Sequence, residues 1–544
     1  MHVINDSDAY PSEREAVQRL APQPSSIRDT GLTDSFLGEL VCKHLHDAGV
    51  LDMTRLVERL ALTGAVLEEV LAFLRKDGRV EVLGQMGQAG GQTLRYGLTE
   101  RGRSSARDAL ARSGYIGAAP FPVSTYRSLI SQDFSHRSPD ETLLAELMPS
   151  LHGIHYASRH LKGWMKPSRR KVGVAFQPAS AKVVYQPLGV VGVIVPWNYP
   201  LFLAIGPLVG ALSAGNRVML KLSESTPATG LLLKQLLARV FPQDLVCVVL
   251  GEADVGVAFS RLPFDHLLFT GATSIGKHVM RAAAENLTPV TLELGGKSPA
   301  IVSEDVPLKD AAERIAFGKT LNAGQTCVAP DYVLVPQNRV GAFVEAYREA
   351  VRVFYPTLAD NPDYTAIINE RQLARLNGYI SDATSKGALL IELFDQGQGR
   401  RMAHSLLLNV TDDMTVMQDE IFGPLLPIVP YADLNQAFAY INQRPRPLAL
   451  YYFGYNKAEQ NRVLTETHSG GVCLNDTLLH VAQDDMPFGG IGASGMGHYH
   501  GHEGFLTFSK AKGVLVKQRF NAAKLIYPPY GKPLQKLIQK LFIR

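Results

Sequence analysis

Between residues 182 and 296 the chain alternates strand-like and helix-like segments, and this alternation constrains the fold more than any other feature. Segments rich in valine and other aliphatic residues are typical of strands, as in VVYQPLGVVGVIVPW, VMLK, LVCVVLG, HLLFTG and TPVTLELGG. Between them lie segments with helical spacing of apolar residues, such as ADVGVAFSRL and TSIGKHVMRAAAENL. Strands that alternate with helices form βαβ units, so we predict an α/β fold with a parallel, doubly wound sheet.

The turn after the HLLFT strand is a candidate nucleotide site. No GxGxxG fingerprint occurs at a strand–helix turn, so the common NAD signature is missing. Gly271 and Gly276 instead bracket FTGATSIGK, where a predicted strand ends and a helix begins. Such a turn can present free N–H groups and a positive helix end to a diphosphate, although glycines at turns also arise for steric reasons.

Composition and charge exclude several classes of protein. The 544 residues are 46% hydrophobic and 19% charged, as in globular domains, and a net charge of +4 is too small for a nucleic-acid footprint. The four cysteines form no CxxC pair, so neither a disulfide framework nor a thiolate zinc site is predicted. The start MHVINDSDAY has no secretory features and the apolar runs are too short to span a membrane, so we expect a soluble, cytoplasmic protein.

A small helical module is predicted ahead of the α/β part. Apolar stripes with helical spacing are followed by two strand-like segments and a charged helix; they lie at 34–48, 53–60, 67–74, 80–83, 94–99 and from Glu100. This order resembles a winged-helix domain. Its candidate recognition helix carries Glu68 and Glu69, which disfavour contact with DNA phosphates, so a protein partner or a vestigial role is favoured.

Six short motifs follow in a fixed order: PWNYP (196–200), KLSES (221–225), ELGGKSP (293–299), GQTC (324–327), EIFGP (420–424) and NDTLLHVAQDDMPFGGIGASGMGHYHG (475–501). Together they resemble the NAD(P)-dependent aldehyde dehydrogenase superfamily, in its class 3 and fatty-aldehyde branch. Stretches such as LNAGQTCVAPDYVLVP are most similar to the bacterial coniferyl aldehyde dehydrogenases. The resemblance implies a doubly wound NAD-binding domain beside an α/β catalytic domain.

The resemblance also assigns catalytic roles. Hydride transfer is easier from a thiohemiacetal than from a free aldehyde, and the implied nucleophile is Cys327. The other cysteines lie in strand-like or helical segments and are expected to be core thiols: Cys42, Cys247 and Cys473. The Asn198 amide and the Cys327 N–H would hold the oxyanion, and Glu293 would activate water. Taken without the resemblance, Asn198 is an ordinary turn residue and Glu293 an ordinary salt-bridged acid.

The implied cofactor is NAD, with NADP as an alternative. Lys221 and Glu224 match positions that contact the adenosine ribose, where a carboxylate favours NAD because it repels an added phosphate. The remaining cofactor contacts implied by the resemblance belong to the diphosphate turn and to the nicotinamide end, and they are Gly271, Ser274, Gly276, Trp197, Glu420 and Phe422.

The predicted domain division is 1–117 for the winged-helix-like module, 118–130 for a linker, 131–294 for the NAD-binding domain, 295–470 for the catalytic domain and 471–544 for a C-terminal segment. That segment is expected to return to the NAD-binding domain and to serve oligomerisation. Relatives begin with a helical arm before the position of Asp133, and here the module stands in its place. Analogy with class 3 relatives predicts a homodimer.

Two further sequence features do not lead to a predicted metal site or membrane contact. The HYHGH run at 498–502 alternates its histidines on a loop, and without a carboxylate or cysteine ligand nearby no metal is predicted. The tail from Lys532 is amphipathic, with apolar residues Leu534, Leu537, Ile538, Leu541 and Phe542 on one face. We expect this face to dock on the protein's own body rather than on a membrane.

The predicted function is oxidation of an aromatic aldehyde such as coniferaldehyde to the acid, through a cysteine thioester and with NAD(P)+. One alternative is a medium- or long-chain aliphatic aldehyde dehydrogenase. The other is a catalytically impaired fusion protein with a DNA- or protein-binding regulatory role.

Overall fold

The computed structural model describes residues 24–86, 93–120, 122–173, 176–394, 398–519, 524 and 527–543. The segment MHVINDSDAY and most of the turn between the two predicted wing strands therefore lie outside the described residues. The same holds for Arg544 and for the side chain of Phe542 in the tail.

The N-terminal residues form a module with its own apolar core. Its helices are α1 (Asp34–Ala48), α2 (Met53–Leu60), α3 (Gly64–Lys76) and α4 (Glu100–Arg112), and its strands are β1 (Val50–Asp52), β2 (Val80–Met86) and β3 (Thr93–Leu98). Each helix begins at a Thr or Asp whose side chain accepts a backbone N–H, namely Thr33, Asp52, Thr63 and Thr99. The antiparallel sheet has the order β1-β3-β2, so it contains a short strand that the sequence pattern did not predict. The winged-helix resemblance stays a prediction.

The predicted linker is partly helical, which corrects the sequence-based division. Helix α5 (Val123–Phe134) begins directly after Pro122 and buries Tyr126, Leu129 and Ile130 against the body of the protein. Pro122 indicated a linker, yet proline also fits the start of a helix, where no backbone N–H is needed. The linker is therefore shorter than residues 118–130.

One long helical run follows α5. It consists of α6 (Pro139–Thr142), a π-helical segment (Leu143–Leu147) and α7 (Met148–Trp164). Helix α7 is unbroken between Met148 and Trp164. The π-helical segment before it is the irregular part of the run.

The valine-rich run at 182–197 divides between two sheets. Its first half is β5 (Ser180–Pro187), which pairs antiparallel with β4 (Ser168–Arg170) and with β19 (Ser509–Val516). Its second half is β6 (Val190–Ile194), which begins after Gly189. The φ of +141° at Gly189 is a conformation that favours glycine, and a Cβ there would overlap the Asp265 carboxylate.

The predicted doubly wound sheet is confirmed. It contains β6 together with β7 (Arg217–Lys221), β8 (Val246–Val249), β9 (His266–Thr270), β10 (Val290–Glu293) and β18 (Gly495–Met496), in the order β18-β10-β9-β6-β7-β8. All pairs are parallel except β10 with β18. The helices between the strands are α8 (Phe202–Ser213), α9 (Pro227–Val240), α10 (Ala253–Ser260) and α11 (Thr273–Ala284).

A second, seven-stranded sheet forms the other half of the body, in the order β13-β14-β15-β12-β11-β16-β17. Its strands are β11 (Pro299–Val302), β12 (Tyr332–Pro336), β13 (Leu389–Glu392), β14 (Ser405–Leu408), β15 (Leu425–Tyr431), β16 (Ala449–Phe453) and β17 (Gly471–Leu474). Its helices are α12 (Leu308–Thr320), α13 (Val340–Phe354), α14 (Glu370–Ser385), α15 (Thr415–Gln418), α16 (Leu434–Asn442) and α17 (Lys457–Glu466). Because β17 belongs to this sheet, the predicted domain boundary at residue 470 is too early.

The chain then returns to the first half of the body. Strand β18 joins the first sheet, α18 (Gly501–Thr507) packs on α8, and β19 pairs with β5. The tail ends in α19 (Pro533–Phe542), where Leu534, Leu537 and Leu541 are 45%, 53% and 65% exposed. The expectation that this face docks on the protein's own body is wrong. Amphipathic spacing predicts an apolar helix face, but it does not show which surface covers that face. None of the helices described is long and apolar enough to cross a bilayer.

Candidate active site

The two sheets bring the three predicted catalytic residues together. Glu293 is the last residue of β10, Asn198 lies in the turn after β6, and Cys327 lies in the turn before β12. A cleft of about 1030 Å³ is lined by all three. A second cavity of about 340 Å³ shares Cys327 and Glu293 with the cleft. Cys327 therefore lies where the two spaces meet.

A strained turn presents Cys327. After α12, Asn322 and Ala323 both have a φ of +52°, and Gly324 has +74°. A Cβ at Gly324 would overlap the Gly423 carbonyl oxygen, so glycine is required there. Burial, followed by the charges of Glu420 and Glu293, raises the pKa of the Cys327 thiol to about 12. The resting thiol is therefore protonated at neutral pH and needs a proton acceptor before it can attack.

The other cysteines lie in regular elements, as expected. Cys42 is buried in α1, whereas Cys247 and Cys473 are half-buried in β8 and β17. Burial raises the pKa values of Cys42 and Cys473 to about 11. Neither cavity that contains Cys327 is lined by any of these three thiols.

Glu293 is a buried acid without an ion-pair partner in the part of the chain that the structure describes. Its side chain is 3% exposed, and neither carboxyl oxygen has a hydrogen-bond partner there. Burial raises the pKa of this carboxyl well above its usual range. The salt-bridge interpretation of Glu293 is therefore wrong, and a carboxyl with a raised pKa beside a thiol is suited to accept a proton.

Asn198 is held against the loop that carries Cys327. Its Nδ2 donates to the Gln325 carbonyl at 3.1 Å, and its own carbonyl accepts from Arg137 Nη1 at 2.8 Å and from Asn322 Nδ2 at 3.2 Å. The residue is buried. Asn198 is therefore a turn residue, and it also lies next to the loop that carries Cys327.

The predicted nicotinamide contacts line one end of the cleft. The Trp197 and Phe422 rings meet edge to face, with centroids 5.3 Å apart. A Cβ at Gly295 would overlap the Glu420 carboxylate, so the acid lies directly on this backbone. Burial, together with the charge of Asp331, raises the pKa of Glu420 to about 8. This part of the cleft therefore combines two aromatic rings with the Glu420 carboxyl.

Sequence reasoning missed two cations beside this end of the cleft. Arg375 donates to the Ile421 carbonyl at 2.7 Å, and Lys297 contacts the Asp331 carboxylate and donates to the Val416 carbonyl at 2.8 Å. Lys297 lies within the ELGGKSP motif, so that motif was the available signal. Arg375 lies in α14, far from every motif, and only the fold brings it to the cleft.

The predicted diphosphate turn lies at the start of α11. Gly271 and Ser274 line the cleft, and Gly276 in the first turn lets the helix approach Leu294, since a Cβ would be 2.7 Å from its Cδ2. The N-terminal end of a helix such as α11 is a favourable place for an anion. Lys277 also lines the cleft, and its i+3 spacing from Ser274 was the signal that could have found it. The glycine cradle, the helix end and the cleft volume fit a dinucleotide.

Lys221 and Glu224 lie at the same edge of the first sheet but do not line the cleft. Lys221 is buried at the end of β7, and its Nζ donates to the carbonyls of Leu222 and Gly251 at 2.8 and 2.7 Å. Glu224 is exposed. Their contact with an adenosine ribose stays a prediction.

The smaller cavity is lined mainly by apolar residues, both aliphatic and aromatic. It is lined by the rings of Tyr199, Phe202, Phe317, Tyr355, Phe488 and Tyr499. The polar residues Asp140, His152 and Asp363 are exposed and belong to the same lining. An apolar molecule fits such a space, with its reacting end toward Cys327.

The histidines of the HYHGH run contact neighbouring side chains. His500 stacks on Phe488 with centroids 5.2 Å apart, and His498 lies 3.3 Å from Glu503. The Glu503 carboxylate corrects the expectation that no carboxylate is nearby. Within the described residues no group of three or more His, Cys, Asp or Glu side chains could hold a metal ion.

Comparison with known proteins decides the family. The family model described as "Aldehyde dehydrogenase family" matches residues 140–514. The chain belongs to the aldehyde dehydrogenase family. A Pseudomonas aeruginosa protein described as a probable coniferyl aldehyde dehydrogenase is 78% identical over 415 residues, which cover 76% of this chain and 87% of that protein.

Solved aldehyde dehydrogenase structures share the fold. A substrate-bound state of Staphylococcus aureus AldH has 39% identity and a TM-score of 0.73, covering 77% of this chain and 91% of that one. A Mycobacterium tuberculosis aldehyde dehydrogenase complexed with NAD+ has 30% identity and a TM-score of 0.67, covering 76% and 84%. This aldehyde dehydrogenase thus resembles them over most of its length.

Proposed function

We propose that this aldehyde dehydrogenase oxidises a flat, conjugated aromatic aldehyde such as coniferaldehyde to the carboxylic acid, with NAD+ as the cofactor and NADP+ as the alternative. The observation that carries the proposal is the position of Cys327 between a dinucleotide-sized cleft and a cavity lined by aromatic rings. The name of the Pseudomonas aeruginosa relative supports the substrate class, and the NAD+ complex of the Mycobacterium tuberculosis enzyme supports the cofactor.

The first step is attack by Cys327. Glu293 takes the thiol proton, a bond forms between Sγ and the aldehyde carbon, and the carbonyl oxygen becomes an oxyanion. The Asn198 amide and the Cys327 N–H donate hydrogen bonds to this oxyanion. The burial of Asn198 strengthens its hydrogen bond to the oxyanion because few water molecules reach that donor.

The second step converts the thiohemiacetal to the acid. Trp197, Glu420 and Phe422 would hold the nicotinamide end of the cofactor, which would supply the hydride acceptor as the oxyanion collapses to a thioester. Glu293 releases the thiol proton to solvent and then removes a proton from water, which attacks the thioester carbon. The bond to Sγ breaks, the acid leaves and the thiol is regenerated.

A substrate comparison tests this proposal. We expect kcat/KM for coniferaldehyde to exceed that for decanal at least tenfold, or about 1.4 kcal/mol of differential transition-state binding. An equal or higher value for decanal would favour the aliphatic alternative. If neither aldehyde, nor any other in a panel of aromatic and aliphatic aldehydes, gives NADH, the regulatory alternative is favoured and the proposed activity is wrong.

We also propose that the enzyme is a cytoplasmic homodimer. Within the described part of the chain, the outer strand β19 pairs on one edge only, and Leu515 and Val516 are half exposed, which suits pairing with a second copy. The four cysteines are free, and a thiol nucleophile is kept reduced in the cytoplasm. Light scattering during gel filtration should give twice the chain mass; a monomer mass contradicts this.

A further inference from the structure

We propose that Arg137, held by Glu146, is a positioning residue that fixes the oxyanion donor Asn198 relative to Cys327. This inference rests on the proposed function, because Asn198 has an oxyanion to bind only if the enzyme forms one. None of the sequence motifs contains Arg137 or Glu146.

Arg137 is a buried cation whose best contact is to the Asn198 backbone. It is 1% exposed, and its Nη1 donates to the Asn198 carbonyl at 2.8 Å. Its guanidinium lies 4.9 Å from the Phe134 ring centroid and 5.0 Å from that of Tyr199. Two rings and one hydrogen bond therefore fix the guanidinium beside the turn that carries Asn198.

Glu146 neutralises Arg137 and holds the far end of the same turn. Its Oε1 is 3.3 Å from Arg137 Nη1, and its Oε2 accepts from the Leu201 N–H at 2.8 Å and from the Phe202 N–H at 3.4 Å. The ion pair therefore holds the turn at Asn198 and again three residues later. Glu146 lies in the π-helical segment, a distortion that is frequent at functional sites.

The neighbouring Glu141 connects the same helical run to the Cys327 loop. Its Oε1 accepts from the Asn322 N–H at 3.0 Å, and its Oε2 accepts from Thr365 Oγ1 at 2.6 Å. Asn322 Nδ2 in turn donates to the carbonyls of Asn198 and Gln325, both at 3.2 Å. One helical run thus holds both loops that form the oxyanion site.

Stability alone does not account for this ion pair. Both side chains are fully buried, and Arg137 Nε and Nη2 have no hydrogen-bond partner among the described residues. A buried ion pair replaced by apolar side chains of similar volume is often as stable or more so. A donor aimed at an oxyanion, in contrast, must be held within fractions of an ångström.

The test compares Arg137→Met, Arg137→Lys and Arg137→Met with Glu146→Leu, each alone and with Asn198→Ala. We expect Arg137→Met to lower kcat by up to about 100-fold with little change in KM, because a misplaced donor affects the transition state. Arg137→Lys, which can still donate to the Asn198 carbonyl, should recover part of kcat. The charge-free double variant should recover the melting temperature of wild type but not its kcat.

The decisive readout is the coupling to Asn198. If Arg137 acts through Asn198, Arg137→Met lowers kcat no further in an Asn198→Ala background, although it still lowers the melting temperature. Full additivity of the two kcat losses would overturn the inference, as would recovery of kcat in the charge-free double variant. A wild-type enzyme that produces no NADH would instead overturn the proposed function, so the two failures are distinguishable.

Discussion

At the residue scale, two acids with raised pKa values line the reacting space. Burial raises the pKa of Cys327 to about 12 and the pKa of Glu293 well above its usual range. Both groups act in their ionised forms, so a raised pKa moves the gain of activity toward higher pH. The kcat/KM should therefore rise as the pH is increased above neutrality, because these acids then lose protons. A flat or falling profile for wild type would contradict this assignment.

Glu293 has a separate role in thioester hydrolysis. Glu293→Gln should form NADH about 100-fold more slowly than wild type, both in the first turnover and in the steady state, because neither the Cys327 thiol nor water is deprotonated. Stopped-flow absorbance measures the first turnover. Glu313→Gln, on the exposed face of α12, is the matched control and should behave as wild type. A Glu293→Gln variant with an unchanged steady state would show that another group activates water.

The sequence identified candidate site residues that lie within motifs, but it gave no indication of site residues outside the motifs. Asn198, Glu293 and Cys327 come from separate motifs, and the structure brings them to one site. Arg137 and Arg375 were missed because an arginine that becomes buried looks, in sequence, like any arginine on a helix. Their importance depends on tertiary contacts, which spacing along the chain does not reveal.

At the element scale, the start of α11 packs closely against the end of β10 next to the cleft. Gly276→Ala would place a Cβ 2.7 Å from Leu294 Cδ2, next to Glu293, and should push the helix end away from its anion position. We expect KM for NAD+ to rise about tenfold, since a small displacement weakens several N–H contacts together. Fluorescence titration of the cofactor measures the loss of binding directly.

The matched control for that variant is Gly256→Ala in α10. A Cβ there would meet no atom within 4 Å, so this variant should bind NAD+ as wild type does. It should also gain slightly in stability, because alanine favours helices over glycine. Equal effects of the two substitutions would show that the close approach at Gly276 has no bearing on the cofactor.

The alternation of elements could be predicted because strands and helices leave different periods in a sequence. Strands β7, β8, β9 and β10 and helices α9, α10 and α11 all lie where the pattern placed them. The pattern did not show that residues 180–187 leave the parallel sheet, because β5 and β6 are equally rich in valine. It also missed α5, where two prolines outweighed the apolar spacing that follows.

At the scale of the whole molecule, the N-terminal module packs around its own core, and one contact to the body is the 3.1 Å hydrogen bond from Arg239 Nη1 to the Ala119 carbonyl. Residues 24–120 carry as many Lys and Arg as Asp and Glu side chains. A balanced surface releases few counterions from DNA, so electrostatic binding should be weak.

We therefore expect no DNA retardation in a gel-shift titration with the full chain at 50 mM salt, a condition chosen at about the low end where phosphate contacts are strongest. A basic DNA-binding protein on the same gel shows that retardation is detectable. Retardation that weakens steeply as salt increases would contradict the preference for a protein partner and restore the DNA-binding alternative.

Each proposed catalytic step depends on the sulfur atom of Cys327, which lies in the site between the two sheets. The most direct measurement is NADH absorbance with NAD+ and coniferaldehyde for wild type, Cys327→Ala and Cys473→Ala. Wild type and Cys473→Ala should produce NADH at similar rates, because Cys473 lies in a strand outside both cavities. Cys327→Ala should produce none above background. Undiminished NADH formation by Cys327→Ala would contradict the thiohemiacetal mechanism.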